Sequence, residues 1–414
     1  MASLQPVRGT HDILAEDFKK HLHVIECARR VAKLYGFAEM ATPIFERTEV
    51  FARTLGDSSD IVTKEMYTFD DRSGDSLTLR PEYTAGIARA FMSGGLQQNL
   101  PLKVFCQGPM FRYERPQKGR LRQFHQIDIE LLGVADPQAD IEVIALGAQI
   151  LNELGLSDRI QLELNTLGDT ESRQVYRALL VDYFNDHLDK LSADSRVRLE
   201  KNPLRILDSK DEGDRAIVAN APLLSASLNQ SSQDFFATLT SGLKSLGIDY
   251  TLNPRLVRGM DYYCHSAFEF TTTTLGAQGA VMAGGRYDGL VKTMGGPQTP
   301  GMGWAAGIER LVMMIDDLPE RSGPITVIPI GDAAAIKALQ LTQQLRGAGF
   351  TIDLGYSGNM KKRLNRANKA EAQAVLILGE DELAKNIVTL RDMKTGEQTE
   401  VTMASIEGSL ARYR

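Results

Sequence analysis

The stretch QFHQIDIELL, residues 123 to 132, alternates with a period of two. Read as a strand, it puts Phe124, Gln126, Asp128 and Glu130 on one face. A strand face that gathers two carboxyl groups and an amide points them into one shared polar space, which a purely structural strand rarely does. KVFCQGPMF, residues 103 to 111, reads as the strand before it. Between the two lies FRYERPQKGRLRQFHQ, residues 111 to 126, which collects Arg112, Arg115, Lys118, Arg120 and Arg122 against the single carboxylate of Glu114.

That run fits two readings. A charged hairpin tip is ordinarily just solvated. Pro116 and Gly119 also shape a turn, and four of the five cations are Arg, the residue suited to bidentate phosphate contact. With Phe124 at its base to stack on a nucleobase, the same run would bind phosphates. The chain carries a formal net charge of −6. A generic nucleic-acid surface is therefore excluded, and any polyanion has to be met by local basic patches.

At 414 residues the chain predicts two or three domains. Residues 17 to 35 predict a helix with Phe18, Leu22, Ile25, Ala28 and Ala32 at helical spacing, stopped by Gly36. FAEMATPIFE, 37 to 46, reads as extended. LTLR, 77 to 80, reads as a strand, and PEYTAGIARAFM as a helix with Pro81 at its start. Residues 170 to 250 are polar and helix-prone, an inserted helical module. DDLPERSGP, 316 to 324, is the clearest linker, and beyond it a β-α-β-α-β run predicts a small unit with a parallel sheet, its first helix striped by Ala334, Ala338, Leu341 and Leu345. Cys27, Cys106 and Cys264 are too scattered for a metal-ligand spacing or a disulfide framework, which fits a reducing compartment. The N-terminus has no apolar signal core and no apolar run approaches a membrane span, so the cytoplasm is expected.

Four further segments stand out. RGMDYYCHSAFEF, 258 to 270, alternates as a strand, with Arg258, Met260, Tyr262 and Cys264 on one face and Gly259, Asp261, Tyr263 and His265 on the other. His265 reads as an ordinary sheet histidine. AGGRYDGL, 283 to 290, reads as a tight turn; it is neither a dinucleotide fingerprint nor a Walker loop. GMGWAAGIERL, 301 to 311, is a glycine-rich strand-to-helix junction that ends in Glu309 and Arg310, with Trp304 in the core. SGNMKKRLNRANKAEAQ, 357 to 373, carries Lys361, Lys362, Arg363, Arg366 and Lys369 on a helix, either a solvated face or an RNA footprint.

Together these segments closely resemble the class II aminoacyl-tRNA synthetases, and within them the histidyl-tRNA synthetases, over essentially the whole chain. PVRGTHDIL resembles the family's opening, GFAEMATPIFE motif 1, FRYERPQKGRLRQFHQ motif 2 and GMGWAAGIERL motif 3; RGMDYY and AGGRYDGL resemble the two histidine-specific signatures. The chain departs from the usual pattern at Ala15 and at Cys264, His265 and Ser266. The resemblance implies an α+β catalytic domain over 1 to 325, built on a mixed, mostly antiparallel sheet of six or seven strands. The helical insertion lies at about 170 to 250, and a C-terminal α/β anticodon-binding domain spans 326 to 414.

The implied chemistry is activation of histidine by ATP to histidyl-adenylate and pyrophosphate, then transfer to the 3′ end of tRNA(His), by a homodimer, with Mg2+ accompanying ATP. For histidine it implies Glu82, Tyr83, Thr84, Arg112, Gln126, Glu130, Arg258, Tyr262 and Tyr263, with Glu82, Thr84 and Gln126 on the α-amino group and Glu130 and Tyr263 on the imidazole. For ATP it implies Arg112 on the α-phosphate, Arg120 and Arg310 on the outer phosphates, Phe124 under adenine, and Glu114. Arg112 and Arg258 are the implied catalytic residues, Arg258 standing where related enzymes use a metal; no protein-bound metal is expected. Arg115, Gln117 and Arg122 would meet the tRNA acceptor end, and Lys361, Lys362, Arg363 and Arg366 the anticodon stem. The competing readings are a histidine-sensing paralogue without activity, which would lack the histidine-specific residues, and an RNA-binding protein, which would need none of Glu82, Gln126 and Glu130.

Overall fold

The computed structural model describes residues 4–414 apart from 57, 58, 60, 259, 261, 277, 278 and 319–322. The chain divides into two compact units, Met1–Leu318 and Pro319–Arg414. Four of the residues of the expected linker, 319 to 322, lie outside the described ones.

The strands of the first unit are, in chain order, β1 (Ala38–Glu39), β2 (Phe45–Arg47), β3 (Tyr67–Asp70), β4 (Ser76–Leu79), β5 (Leu102–Phe111), β6 (Gln123–Leu132), β7 (Gln161–Thr166), β8 (Thr251–Leu252), β9 (Cys264–Thr271), β10 (Ala280–Arg286) and β11 (Gly301–Gly307). Eight of them form one sheet in the order β1-β5-β6-β11-β10-β9-β7-β8. It is antiparallel except at its two ends, where the two-residue strands β1 and β8 join in parallel. Those short edge strands take the sheet beyond the expected six or seven. β2, β4 and β3 make a separate antiparallel sheet.

One face of the main sheet is covered by the helices Ala15–Leu34, Pro137–Glu153 and Gln230–Ser245, around Ile127, Ile129, Leu146, Ile150, Phe268 and Trp304. Each fully buried Ile or Leu there contributes about 1.5–3 kcal/mol relative to leaving it in water. Trp304, 2 % exposed, donates its indole N–H to the carbonyl of Val143 at 2.9 Å. The first helix is rotated from its expected stripe. Phe18 is 56 % exposed, and the buried face runs through His21, Val24, Cys27, Ala28, Val31 and Ala32.

Between β7 and β8 the chain forms the helices Thr170–Asn185, Ala193–Lys201, Glu212–Val218 and Gln230–Ser245, whose starts are capped by the side chains of Asp169, Ser192, Asp211 and Asn229. The first three close their own core around Tyr176, Leu180, Phe184 and Ile206. The fourth puts Leu239 and Leu243 into the main core instead.

The second unit has strands β12 (Ile325–Pro329), β13 (Ile352–Leu354), β14 (Ala374–Leu378), β15 (Ile387–Asp392) and β16 (Gln398–Thr402), ordered β13-β12-β14-β15-β16. The first three are parallel, joined by the helices Asp332–Gly347 and Met360–Lys369. Ala334, Ala338, Leu341 and Leu345 are buried as expected. The antiparallel hairpin of β15 and β16 is an addition to the expected parallel sheet.

Candidate active site

The face of the main sheet opposite the helices opens into a cavity of about 750 Å³, the scale of a small-molecule site. Phe124, Gln126, Asp128 and Glu130 of β6 all line it, as their alternation requires. Across the ladder Gly303 pairs with Glu130, Ala305 with Asp128 and Gly307 with Gln126. Small residues are needed there, because a Cβ at Gly303 would lie 1.7 Å from Oε2 of Glu130.

Glu82, just before the helix Thr84–Ser93, and Thr84, its first residue, join this group. That helix begins at Thr84 rather than at Pro81. Glu82 caps it, its two oxygens accepting the N–H groups of Thr84 at 2.7 Å and Ala85 at 2.8 Å. The hydroxyls of Thr84 and Tyr287 both donate to Glu130. Three carboxyl groups thus meet in one buried place. Burial pushes Glu130 up to about 8, against the hydrogen bonds from Thr84 and Tyr287. Burial also raises Asp128, with Glu130 and Glu82 adding to the shift, and raises Glu82, opposed by its backbone bonds and Arg112. Oδ2 of Asp128 and Oε1 of Gln126 are buried acceptors with no hydrogen-bond partner. Unmet buried acceptors cost free energy and mark where a donor-bearing ligand would sit.

Cations line the same cavity. Arg112 donates Nε to the carbonyl of Pro81 at 2.9 Å and holds its guanidinium 5.3 Å from the centre of the Phe124 ring. Arg120 pairs with Glu114 at 2.6 Å. Arg310, on the short helix Ile308–Val312, donates to Gly119 at 3.1 Å and Ala280 at 2.6 Å. Burial lowers its pKa, and Arg120 and Arg112 lower it further, against Glu114 and Glu269. Gly119, at φ +71°, makes the turn of the basic loop.

Arg258 also faces the cavity, paired with Glu269 and 5.4 Å from the centre of the Tyr263 ring. The expected alternation of 258 to 263 does not occur. β9 starts only at Cys264, and Arg258 and Tyr263 line one cavity instead of lying on opposite faces. Gly259 and Asp261 lie outside the described residues. Nor is AGGRYDGL a tight turn at its glycines. Gly284 and Gly285 sit inside β10, where a Cβ would come within 2.2 Å of the Gly303 carbonyl and 2.5 Å of that of Ser266. His265 stacks on Phe235 with ring centres 4.5 Å apart.

Some expected residues stand elsewhere. Tyr83 is 1 % exposed, its hydroxyl on the carbonyl of Gln107 at 2.6 Å, and it does not line the cavity. Tyr262 packs beside Tyr263 and Tyr287. Arg115 and Gln117 are exposed, whereas Arg122 lies 3.8 Å from the centre of the Tyr113 ring. In the second unit Lys361, Lys362 and Arg366 are exposed, while Arg363 turns inward to the carbonyl of Pro329. Sequence reasoning missed Tyr287 and Glu269. It also missed Asp208 and Lys210 of the helical module, which line the cavity; Asp208 is raised by burial and opposed by Lys210, Arg198 and Arg258. The Tyr287 hydroxyl had a sequence signal, since it follows the GlyGlyArg run; the module's residues had none.

Comparison with known proteins shows the family. The family model described as histidyl-tRNA synthetase matches residues 9–311, and that of an anticodon binding domain matches 325–412. Histidine--tRNA ligase of Rhodospirillum rubrum is 61% identical over 414 residues, and that of Gluconobacter oxydans 56% over 414, each alignment covering all of both chains. The crystal structure of apo histidyl-tRNA synthetase from S. aureus superposes with a TM-score of 0.84 at 32% identity, covering 98% of this chain and 99% of that one. The chain belongs to the histidyl-tRNA synthetase family, ligases that join histidine to tRNA, and combines that family's mostly antiparallel catalytic sheet with a C-terminal anticodon-binding domain.

Proposed function

We propose that the cavity of the first unit holds histidine and ATP side by side, and that its two groups of opposite charge divide them. The observation that carries this reading is the pairing of unmet buried acceptors on Gln126 and Asp128 with the convergent guanidinium groups of Arg112, Arg120 and Arg310. Glu82, Thr84 and Gln126 take the α-ammonium group. Glu130, oriented by Thr84 and Tyr287, accepts one imidazole N–H, and the Tyr263 hydroxyl meets the other ring nitrogen. Arg112 holds the α-phosphate, Arg120 and Arg310 the outer phosphates, and Phe124 stacks under adenine. Glu114 and Glu269, two of the carboxylates that line the cavity, are engaged by Arg120 and Arg258. Mg2+ would therefore ride on the phosphate oxygens, where it supplies charge neutralisation.

Arg258 moves from Glu269 to the substrates and bridges the histidine carboxylate and the α-phosphate. A carboxylate oxygen attacks the α-phosphorus, the bond to the bridging oxygen of pyrophosphate breaks, and histidyl-adenylate remains. Charge grows on the phosphate oxygens in that step, where guanidinium groups fixed in a water-poor site stabilise it most. A hydroxyl of the terminal ribose of tRNA then attacks the acyl carbon and AMP leaves. Arg115, Gln117 and Arg122 of the basic loop border the path of the acceptor end. Charging of unfractionated tRNA with labelled histidine tests the whole sequence: label should enter only histidine-accepting tRNA, and absence of charged product would contradict it.

The second unit supplies the distal tRNA contact. Lys361, Lys362 and Arg366 belong to that surface, Arg363 being turned inward to Pro329, and the exposure of Lys362 and Arg366 one turn apart supports it as a phosphate-facing edge. The double variant K362A/R366A should weaken tRNA binding and flatten its salt dependence, since fewer counterions are released. Histidine-dependent pyrophosphate exchange, which needs no tRNA, should stay within twofold. Unchanged tRNA affinity and salt slope would return the helix to a solvated face.

A homodimer is the expected assembly. Ile44 and Phe45 in the motif 1 segment, with Phe69 on the same small sheet, are 44 %, 53 % and 45 % exposed, an apolar surface suited to a second copy. Sedimentation equilibrium at micromolar protein should give twice the chain mass; an active monomer would refute the dimer. Among the described residues no helix is long and apolar enough to cross a membrane, and the cytoplasm is the proposed location.

A further inference from the structure

His21, His125 and Glu309 come from three separate segments: the first helix, β6 and the short helix after β11. One ligating atom from each lies within 4.8 Å of the other two. His125 Nδ1 is 2.8 Å from Oε1 of Glu309, and the backbone N–H of His125 donates to both carboxylate oxygens, at 3.0 and 2.9 Å. These bonds tie His125 to Glu309 and give no reason for a second imidazole. Yet His21 stands edge-on to His125, ring centres 5.7 Å apart, on the buried face of its helix at 6 % exposure.

We propose that His21, His125 and Glu309 form a binding site for one zinc-type divalent ion, distinct from any magnesium carried by ATP. Two imidazoles and a carboxylate, with a fourth position left for water, are the ligand set of a borderline-soft ion; hard cations take mostly oxygen. Metal–ligand bonds of about 2.0–2.2 Å bring ligand atoms to about 3.4 Å apart. From their present positions His21 must therefore draw in by up to about 1.4 Å, and His125 Nδ1 and Glu309 Oε1 must part by about 0.6 Å. One oxygen of Glu309 keeps the backbone N–H of His125, and this second contact orients the ligating oxygen. The bound ion would fasten the first helix to β6, whose Phe124 and Gln126 face the cavity, and to the helix that carries Arg310.

The test is a calorimetric titration of metal-stripped full-length protein with ZnCl2. One ion per chain is expected, with a rise in Tm by mass action, and His21→Gln should lose at least tenfold in affinity together with most of that rise. No stoichiometric binding, or equal binding by H21Q, overturns the site. Cobalt(II) reads the same site without any substitution. At one equivalent, visible bands of four-coordinate cobalt with nitrogen and oxygen ligands support the proposal, and the spectrum of the free hexaaquo ion, or thiolate-to-cobalt charge transfer, overturns it. Pyrophosphate exchange by H21Q should match that of the stripped wild type, because His21 does not line the cavity.

Discussion

Arg258→Ala should lose at least a hundredfold in histidine-dependent pyrophosphate exchange while the fold stays intact. The expectation follows from the proposed shift of Arg258 from Glu269 to the reacting groups. Removing one donor aimed at charge that develops in the transition state costs about 3–4 kcal/mol, roughly a hundredfold to a thousandfold in rate. The loss should fall mainly on kcat, because the α-ammonium and imidazole contacts survive. Arg258→Lys should recover little, since one ammonium cannot span both a carboxylate and a phosphate. Removal of the guanidinium also leaves Glu269 without its ion-pair partner and Asp208 with one cation fewer, so circular dichroism and Tm must accompany the kinetics. Near-normal exchange in a folded variant would remove Arg258 from the mechanism.

Glu130→Gln should cost a tenfold to hundredfold in kcat/KM for histidine, the range that about 1.5–3 kcal/mol for a charge-assisted hydrogen bond gives. It should also abolish a pH dependence. In the free site Glu130 titrates at about 8, so near neutral pH it is largely protonated and must give up its proton to accept an imidazole N–H. KM for histidine in the wild type should therefore fall as pH rises from 7 to 8.5, and the variant should show no such slope. Stability runs the other way. The folded pKa lies above the ordinary 4.5, so Glu130 contributes stability that is fully present below pH 4.5 and lost as pH rises through about 8. Without ligand, wild-type Tm should drop over that window more than that of E130Q. Parallel Tm curves for the two proteins would show that Glu130 is not the titrating group.

The polar face of β6 was legible in the sequence because alternation is a local property: Gln126, Asp128 and Glu130 each lie two residues apart, and nothing distant is needed to align them. The basic loop, the strand-to-helix junction at Gly307 and the parallel strands of the second unit were legible for similar reasons. Gly284 and Gly285 were misread because glycine signals a turn and a close backbone approach alike. The neighbours that decide between them, Gly303 and Ser266, lie about twenty residues away in the chain and one strand away in space. Arg258 and Tyr263 were assigned to opposite faces because the period-two pattern continued past the point where the strand itself ended. Helical spacing puts Phe18 on one stripe with Leu22 and Ile25, whereas the buried side of the helix is that of His21 and Val24. The hairpin of β15 and β16 did carry a signal that went unused, the turn around Gly396 at φ +77° between two alternating runs. Asp208 and Lys210 could not have been found locally, since only the folding of the helical module brings them to the cavity.

The central claim is that one cavity, polar where the imidazole lies and cationic where the phosphates lie, activates histidine. A polar pocket leaves buried groups unpaired when an apolar side chain enters, which discriminates by about 10⁴ or more. The direct measurement is ATP–pyrophosphate exchange by the wild-type chain with each of the twenty amino acids in turn, without tRNA. Exchange with histidine alone, at least about 10⁴ above every other amino acid, is the predicted result; no exchange with histidine, or comparable exchange with another amino acid, would contradict the account.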